Sequence, residues 1–152
     1  MRSILLRLFL LVLLVPGTVP AGAAEIFEKS SVVIETAKGG RFRFDVELAQ
    51  TPGQMAQGMM FRERMAEDAG MLFLMAAEQP VSFWMKNTLI PLDMLFVGAD
   101  GRIRSIHANA VPRSLASIPS GAPVKAVLEI NGGMAARLGI RPGDRVIHAA
   151  FK

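Results

Sequence analysis

Apolar and charged side chains alternate between residues 41 and 48 of this chain. The order is Arg41, Phe42, Arg43, Phe44, Asp45, Val46, Glu47, Leu48. A period of two is typical of a β-strand that buries one face. The segment 32–36, which begins with Val32, Val33 and Ile34, precedes it across Lys38, Gly39 and Gly40. The pattern therefore predicts a half-buried β-hairpin.

The remaining pattern predicts a β-rich domain with two short helices. Thr51, Pro52 and Gln54 form a helix-capping signature, so a first helix is expected to run to about Met60. A second helix is expected over 133–138, closed by Gly139. Further strands are predicted over 70–75, 81–86, 92–97, 102–107, 125–130 and 145–151, and a long loop over 109–123. The fold class is a single compact α+β domain, with a partly closed antiparallel or mixed sheet or a small barrel.

The first 24 residues have the pattern of a secretory signal peptide. Arg2 and Arg7 precede an apolar run over 8–15, and small residues over 21–24 follow. The run is far shorter than the roughly 20 residues that a membrane-spanning helix needs. We expect cleavage after Ala23 or Ala24, a mature domain over 25–152, and a periplasmic or secreted protein with no stable membrane span.

Composition narrows the possible chemistry. The chain has no cysteine, which excludes thiol catalysis and disulfides. Removal of Arg2 and Arg7 from the 17 basic residues leaves 15 against 13 acidic residues, a net charge near +2. This charge is too small to favour nucleic acid as a partner. The methionine pair Met55 and Met59 suits Cu(I), although core packing explains it better, so neither a metal nor a cofactor is predicted.

Residues 83–93, FWMKNTLIPLD, place polar groups among apolar neighbours. In an extended segment Trp84 and Lys86 share one face about 6.5 Å apart, which suits a cation–π contact or a shared cleft. The alternative is a lysine that reaches over the indole to water. Asn87 and Thr88 fall where the chain turns, so they are expected to satisfy local backbone groups or to join a site.

Two acidic residues interrupt predicted strands. Asp93 begins the strand over 92–97, and Glu129 stands among Val127, Leu128 and Ile130. A buried carboxylate needs a partner, so we predict a cluster of Asp93, Glu129 and Lys86, with Arg62 or Arg64 as further cations. A structural ion pair that fixes strand register is the competing interpretation.

Five segments together resemble a known family. They are GMMFRERM (58–65), GMLFLM (70–75), FWMKNT with IPLD (83–93), VLEI (127–130) and GIRPGDRV (139–146). The chain resembles domain-of-unknown-function family 192 over about residues 32–146. The resemblance implies one small β-rich domain, often exported, but no reaction. It supports Trp84, Lys86, Asn87, Thr88, Pro91, Asp93 and Glu129 as motif positions.

Three hypotheses follow for the function. The first is a periplasmic binding or accessory domain whose recess uses Trp84, Lys86, Asn87, Thr88, Asp93, Glu129 and Arg62, for a small anionic or carbohydrate-like ligand. The second is a small hydrolase or lyase with Asp93 or Glu129 as base and Lys86 as electrostatic stabiliser. The third is a structural or interaction protein without a ligand site. The sequence does not decide among them, nor does it give the oligomeric state.

Overall fold

Seven strands form one mixed sheet that curls into a half-barrel, with two short helices packed on it. The computed structural model describes residues 25–151. The elements in chain order are β1 (Glu28–Glu35), β2 (Arg41–Ala49), α1 (Pro52–Gln57), β3 (Ala69–Gln79), β4 (Ser82–Phe83), β5 (Leu92–Val97), β6 (Ile103–Ala110), β7 (Ile118–Pro119), β8 (Val124–Asn131), α2 (Met134–Leu138) and β9 (Arg145–Ile147). This architecture confirms the predicted fold class. The signal peptide predicted for residues 1–24 lies outside the described residues.

The strand order in the sheet is β6-β5-β8-β3-β2-β1-β9. Only β2 and β3 pair in parallel, and α1 lies in the connection between them. The two ends of the sheet approach each other, because Arg102 bridges Arg145 and the Ile103 amide donates to the Asp144 carbonyl. The two edges of the curled sheet therefore come together around its inner face.

Each face of the sheet supports its own apolar core. The inner face packs side chains such as Phe44, Leu72 and Leu128 against α2 and β9. The outer face packs Phe73, Met94 and Phe96 against α1 and the loops around residues 81–90 and 118. Because neighbouring residues of a strand point to opposite faces, the position of each polar residue within these strands decides which face of the sheet it lies on.

The helix boundaries follow the predicted capping chemistry. The Thr51 side chain accepts from the Gln54 amide, and the Gln54 side chain accepts from the Thr51 amide. Helix α1 ends at Gln57, earlier than the predicted Met60, and Gly58 follows it as C-cap. Gly139 ends α2 with φ of 68°, a conformation that favours glycine. Within residues 25–151, no helix has the length and hydrophobicity required to cross a membrane.

Three predicted segments differ from the structure. The strand expected over 81–86 contains only Ser82 and Phe83, because Lys86 and Asn87 form a turn and Asn87 has a φ of 56°. The loop expected over 109–123 includes the end of β6 and all of β7, and β7 pairs with β4. The last strand stops at Ile147, after which His148 accepts a backbone hydrogen bond from Phe151.

Candidate functional site

A cavity of about 260 Å³ opens on the outer face of the sheet, between α1, β3 and the 81–88 segment. We call it the methionine cavity. Its apolar wall consists mainly of Met55, Met59, Met60, Phe73, Met75 and Phe83. Its polar and aromatic lining includes Ser82, Trp84, Lys86, Thr88 and Glu129. An apolar hollow with a few convergent polar groups is the usual form of a small-ligand site.

Glu129 lies at the centre of the sheet and lines this cavity. Its cross-strand neighbours are Met71 on β3 and Met94 on β5, and both are fully buried. The side chain of Glu129 is itself almost fully buried. Burial raises the pKa of its carboxyl to about 8, and the nearby Arg62 charge opposes this only in part. The carboxyl is therefore mostly protonated at pH 7, and in that form it can donate a hydrogen bond into the cavity.

Arg62 stands beside this site without lining the cavity. Its Nη1 atom lies 2.5 Å from Glu47 Oε2, in an ion pair rather than an aligned hydrogen bond. The guanidinium also lies 5.7 Å from the centre of the Phe27 ring. Glu47 and Glu129 are both cross-strand neighbours of Met71, so Arg62 acts on two acids of the same face. Its positive charge lowers the pKa of the Glu129 carboxyl and so partly offsets the effect of burial.

Trp84 and Lys86 meet at the mouth of the cavity, as the predicted alternation required. The Lys86 Nζ atom lies 5.1 Å from the centre of the indole ring. Trp84 is half exposed, Lys86 is exposed, and Met85 between them is fully buried. The arrangement is a cation–π contact with one side open to solvent. A ligand in the cavity can reach both groups.

Asn87 and Thr88 connect this mouth to two neighbouring loops. The Asn87 carbonyl accepts from the Phe61 amide, and the Thr88 carbonyl accepts from the Arg113 amide. The Thr88 side chain is buried at the edge of the cavity, whereas Asn87 points toward Met60 Sδ at 3.8 Å. Thr88 therefore joins the cavity lining, and Asn87 holds the turn.

Asp93 does not join this cluster, and the prediction that it lies with Glu129 and Lys86 is wrong. Asp93 is opposite Ile130 rather than Glu129, which places its side chain on the inner face. There its carboxylate accepts from the amides of Asn109, Gly133 and Ala135 at 2.8–2.9 Å. Backbone amides at the start of α2 satisfy this buried charge instead of a cation. Its position is explained by the folding of α2 onto the sheet.

The methionine wall is the part of the site that sequence reasoning missed. The sequence favoured core packing for Met55 and Met59, and both pack in the outer-face core, although α1 ends before Met59. Both line the cavity together with Met60 and Met75. Within residues 25–151, no group of three or more His, Cys, Asp or Glu side chains is arranged to hold a metal ion.

The histidine at position 148 does not form a catalytic dyad with Ser30. Its Nε2 atom lies 3.0 Å from the Ser30 hydroxyl oxygen. The Ala150 amide donates to Nδ1, so Nδ1 is the unprotonated nitrogen and Nε2 carries the proton. The ring consequently donates to Ser30 and cannot act as its general base. Partial burial also lowers the pKa of His148.

One family model and two solved structures are similar to this chain. The model of DUF192, Uncharacterized ACR, matches residues 33–148. A proposed transcription regulator from Sinorhizobium meliloti 1021 has 50% identity and a TM-score of 0.82, with 85% of this chain and 100% of that chain covered. A protein of unknown function from Novosphingobium aromaticivorans DSM 12444 has 44% identity and a TM-score of 0.77, with coverage of 84% and 94%. Among curated proteins, none matches the chain.

Proposed function

The chain belongs to the DUF192 family, and we propose that it is a small-ligand binding domain of the cell envelope whose site is the methionine cavity. The observation that carries the proposal is the convergence of Trp84, Lys86, Thr88 and Glu129 on one apolar hollow. The predicted export signal at residues 1–24 supports action in the periplasm or outside the cell.

The wall chemistry favours an amphipathic ligand. Met55, Met59, Phe73 and Met75 offer thioether and aromatic surface, which stabilises an apolar group and leaves sugar hydroxyls without partners. A carbohydrate is therefore the weaker of the two ligand types that the sequence suggested. A short acyl or aryl chain with one anionic end fits the lining better.

The polar groups set the orientation of such a ligand. Lys86 stands at the exposed mouth, where its ammonium attracts an anionic head group. Glu129 is buried, and its neutral carboxyl can donate to an acceptor on the ligand. Because ionised Glu129 would repel an anion and carry a desolvation cost, binding is expected to weaken as the pH rises through about 8.

Intrinsic fluorescence tests this proposal at a single position. The chain has one tryptophan and no tyrosine, so the emission at long wavelength reports on Trp84 alone. We expect decanoate to change the Trp84 emission in a saturable manner, and decanol to bind more weakly because it lacks the charge. Lys86→Met should abolish the preference for decanoate.

Lys38→Met is the matched control, because Lys38 is an exposed residue of the β1–β2 turn. Its decanoate titration should match that of the unmodified protein. Equal titration curves for Lys86→Met and Lys38→Met, or no saturable response in either, would count against the cavity as an anion-selective site.

Acid–base catalysis is a second candidate, supported by the raised pKa of Glu129 within a cavity. Asp93 cannot supply the second carboxylate, because three backbone amides hold it on the opposite face. Release of chromophore from a chromogenic decanoate ester tests this candidate. Turnover that disappears in Glu129→Gln while decanoate binding persists would favour an enzyme, and no turnover would favour the binding domain.

The charge distribution of this chain gives little support for carrying over the transcription-regulator description of the Sinorhizobium meliloti protein. Arg41, Arg43, Arg62, Arg104 and Arg137 each form an ion pair with an acidic side chain. Basic residues that bind DNA need to be free to neutralise phosphates. The small net charge expected for the mature chain favours the same conclusion.

A further inference from the structure

Four large apolar side chains are exposed on three loops that are hydrogen-bonded to one another, two of which also contribute residues to the lining of the methionine cavity. Phe61, Trp84, Val111 and Leu115 are 68%, 50%, 67% and 69% exposed, and we call them the apolar rim. Within residues 25–151, six large apolar residues are exposed, and these are four of them. Trp84 and Leu115 line one shallow hollow together. Folding gains little burial from these four residues.

The loops that carry the apolar rim are fixed to one another. The Phe61 amide donates to the Asn87 carbonyl, the Arg113 amide to the Thr88 carbonyl, and the Met85 amide to the Ser114 carbonyl. Phe61, Asn87 and Arg113 all have positive φ values, between 56° and 64°. Left-handed backbone at non-glycine residues is unfavourable and is concentrated at functional sites. The structure thus holds an aromatic side chain outward on strained backbone.

The charge around the apolar rim is positive. Lys86 and Arg113 are exposed on the segments 84–91 and 111–117, which contain no acidic residue, whereas the Phe61 loop carries exposed Arg64 together with Glu63 and Asp68. Arg62 adds no free charge, since it is paired with Glu47. A second copy of this chain facing the rim symmetrically would bring like charges together. A negatively charged surface is complementary to this arrangement.

We propose that the apolar rim docks on the surface of an anionic lipid bilayer. Tryptophan and phenylalanine prefer the boundary between head groups and acyl chains, and nearby lysine and arginine are attracted to anionic head groups. The rim residues project from three separate loops, which suits shallow insertion into a fluid surface. Docking places the mouth of the cavity against the bilayer, so an amphipathic ligand can enter without crossing water.

Vesicle flotation tests the docking. The unmodified protein should float with vesicles of equal parts phosphatidylcholine and phosphatidylglycerol, and less with phosphatidylcholine alone. Phe61→Asn combined with Leu115→Ser should weaken the affinity about tenfold or more, since two apolar side chains no longer insert. Asparagine is chosen because it tolerates the left-handed backbone. Arg113→Asn should weaken binding about fivefold at low salt.

Two matched controls lie on β9, away from the cavity. Ile147→Ser removes an exposed apolar side chain, and Arg145→Asn removes an exposed charge. Both should float like the unmodified protein. Circular dichroism and thermal unfolding should show that every variant is folded. If rim and control variants float equally, or if phosphatidylglycerol does not increase flotation, membrane docking is refuted. No flotation of the unmodified protein would also refute it and would favour an acidic protein partner.

Different experiments test the membrane docking and the proposed ligand site, so one proposal can be refuted without the other. Phe61, Val111 and Leu115 do not line the methionine cavity. The Phe61→Asn and Leu115→Ser double variant should therefore bind decanoate with unchanged affinity, as read by Trp84 fluorescence. Loss of decanoate binding in this variant would show that the rim belongs to the ligand site itself, and would overturn its separate role.

Discussion

Replacement of Glu129 by glutamine should remove a pH dependence of stability that the unmodified chain carries. The carboxyl has a pKa of about 8 in the folded state, against an ordinary value of 4.5. Between these two pH values the folded state retains a proton that the unfolded state has released. Because the folded state binds more protons, the free energy of unfolding falls as the pH rises through this window.

The size of this effect follows from the two pKa values. Each unit of pKa difference corresponds to about 1.4 kcal/mol, which gives an upper limit of about 5 kcal/mol at pH values above about 8. Water that enters the cavity would solvate the ionised carboxylate and reduce this amount. Glutamine has nearly the same shape and stays neutral. Glu129→Gln should therefore be more stable than the unmodified chain in alkaline solution by a few kcal/mol, and similar to it near about pH 5.

Urea unfolding at a series of pH values, followed by Trp84 fluorescence and circular dichroism, measures this difference. Other titrating groups such as His148 change the free energy of unfolding of both proteins equally. The difference between the two pH profiles therefore reports on Glu129 alone. Glu28→Gln is the control, because Glu28 is exposed at the start of β1. Parallel pH profiles for Glu129→Gln and the unmodified chain would refute a buried, neutral carboxyl at this position.

Three further predictions concern the framework of the site. Asp93→Ala should lower the free energy of unfolding by about 3–5 kcal/mol, because three buried amides lose their acceptor, and denaturant titration should show it. Thr51→Ala should lower it by about 1 kcal/mol through loss of the capping box of α1, and an unchanged unfolding midpoint would disprove the role of the cap. Gly70→Ala should destabilise the sheet by about 1–3 kcal/mol, because a Cβ atom there would lie 2.6 Å from the Glu129 carbonyl oxygen; equal stability in thermal unfolding would contradict this close packing.

The sequence predicted those features that depend on neighbours in the chain. The capping residues Thr51 and Gln54 give the start of α1, and alternation gives the β1–β2 hairpin. Alternation also brought Trp84 and Lys86 to one side, although the regular strand stops at Phe83. The same kind of reasoning identified Glu129 as a costly residue in a central strand, and the structure buries it there.

The position of Asp93 could not be predicted in this way. Its face depends on the register of β5 against β8, which are separated by more than thirty residues in the chain. A shift of one residue would have placed it beside Glu129. Its partners are backbone amides of α2 and of Asn109, and every non-proline residue carries such a group. From residue types alone we expected a cation as the partner of the Asp93 carboxylate, whereas in the structure backbone amides are its partners.

Methyl NMR of methionine reports directly on whether the methionine cavity binds a ligand. With labelled methionine methyl groups, decanoate should shift the signals of Met55, Met59, Met60 and Met75, which line the cavity. Met134 provides an internal control, because it is buried in the core on the opposite face of the sheet. Saturable shifts are expected for the four cavity signals and none for Met134. Equal shifts throughout, or no shift at any of the four, would contradict a ligand site in this cavity.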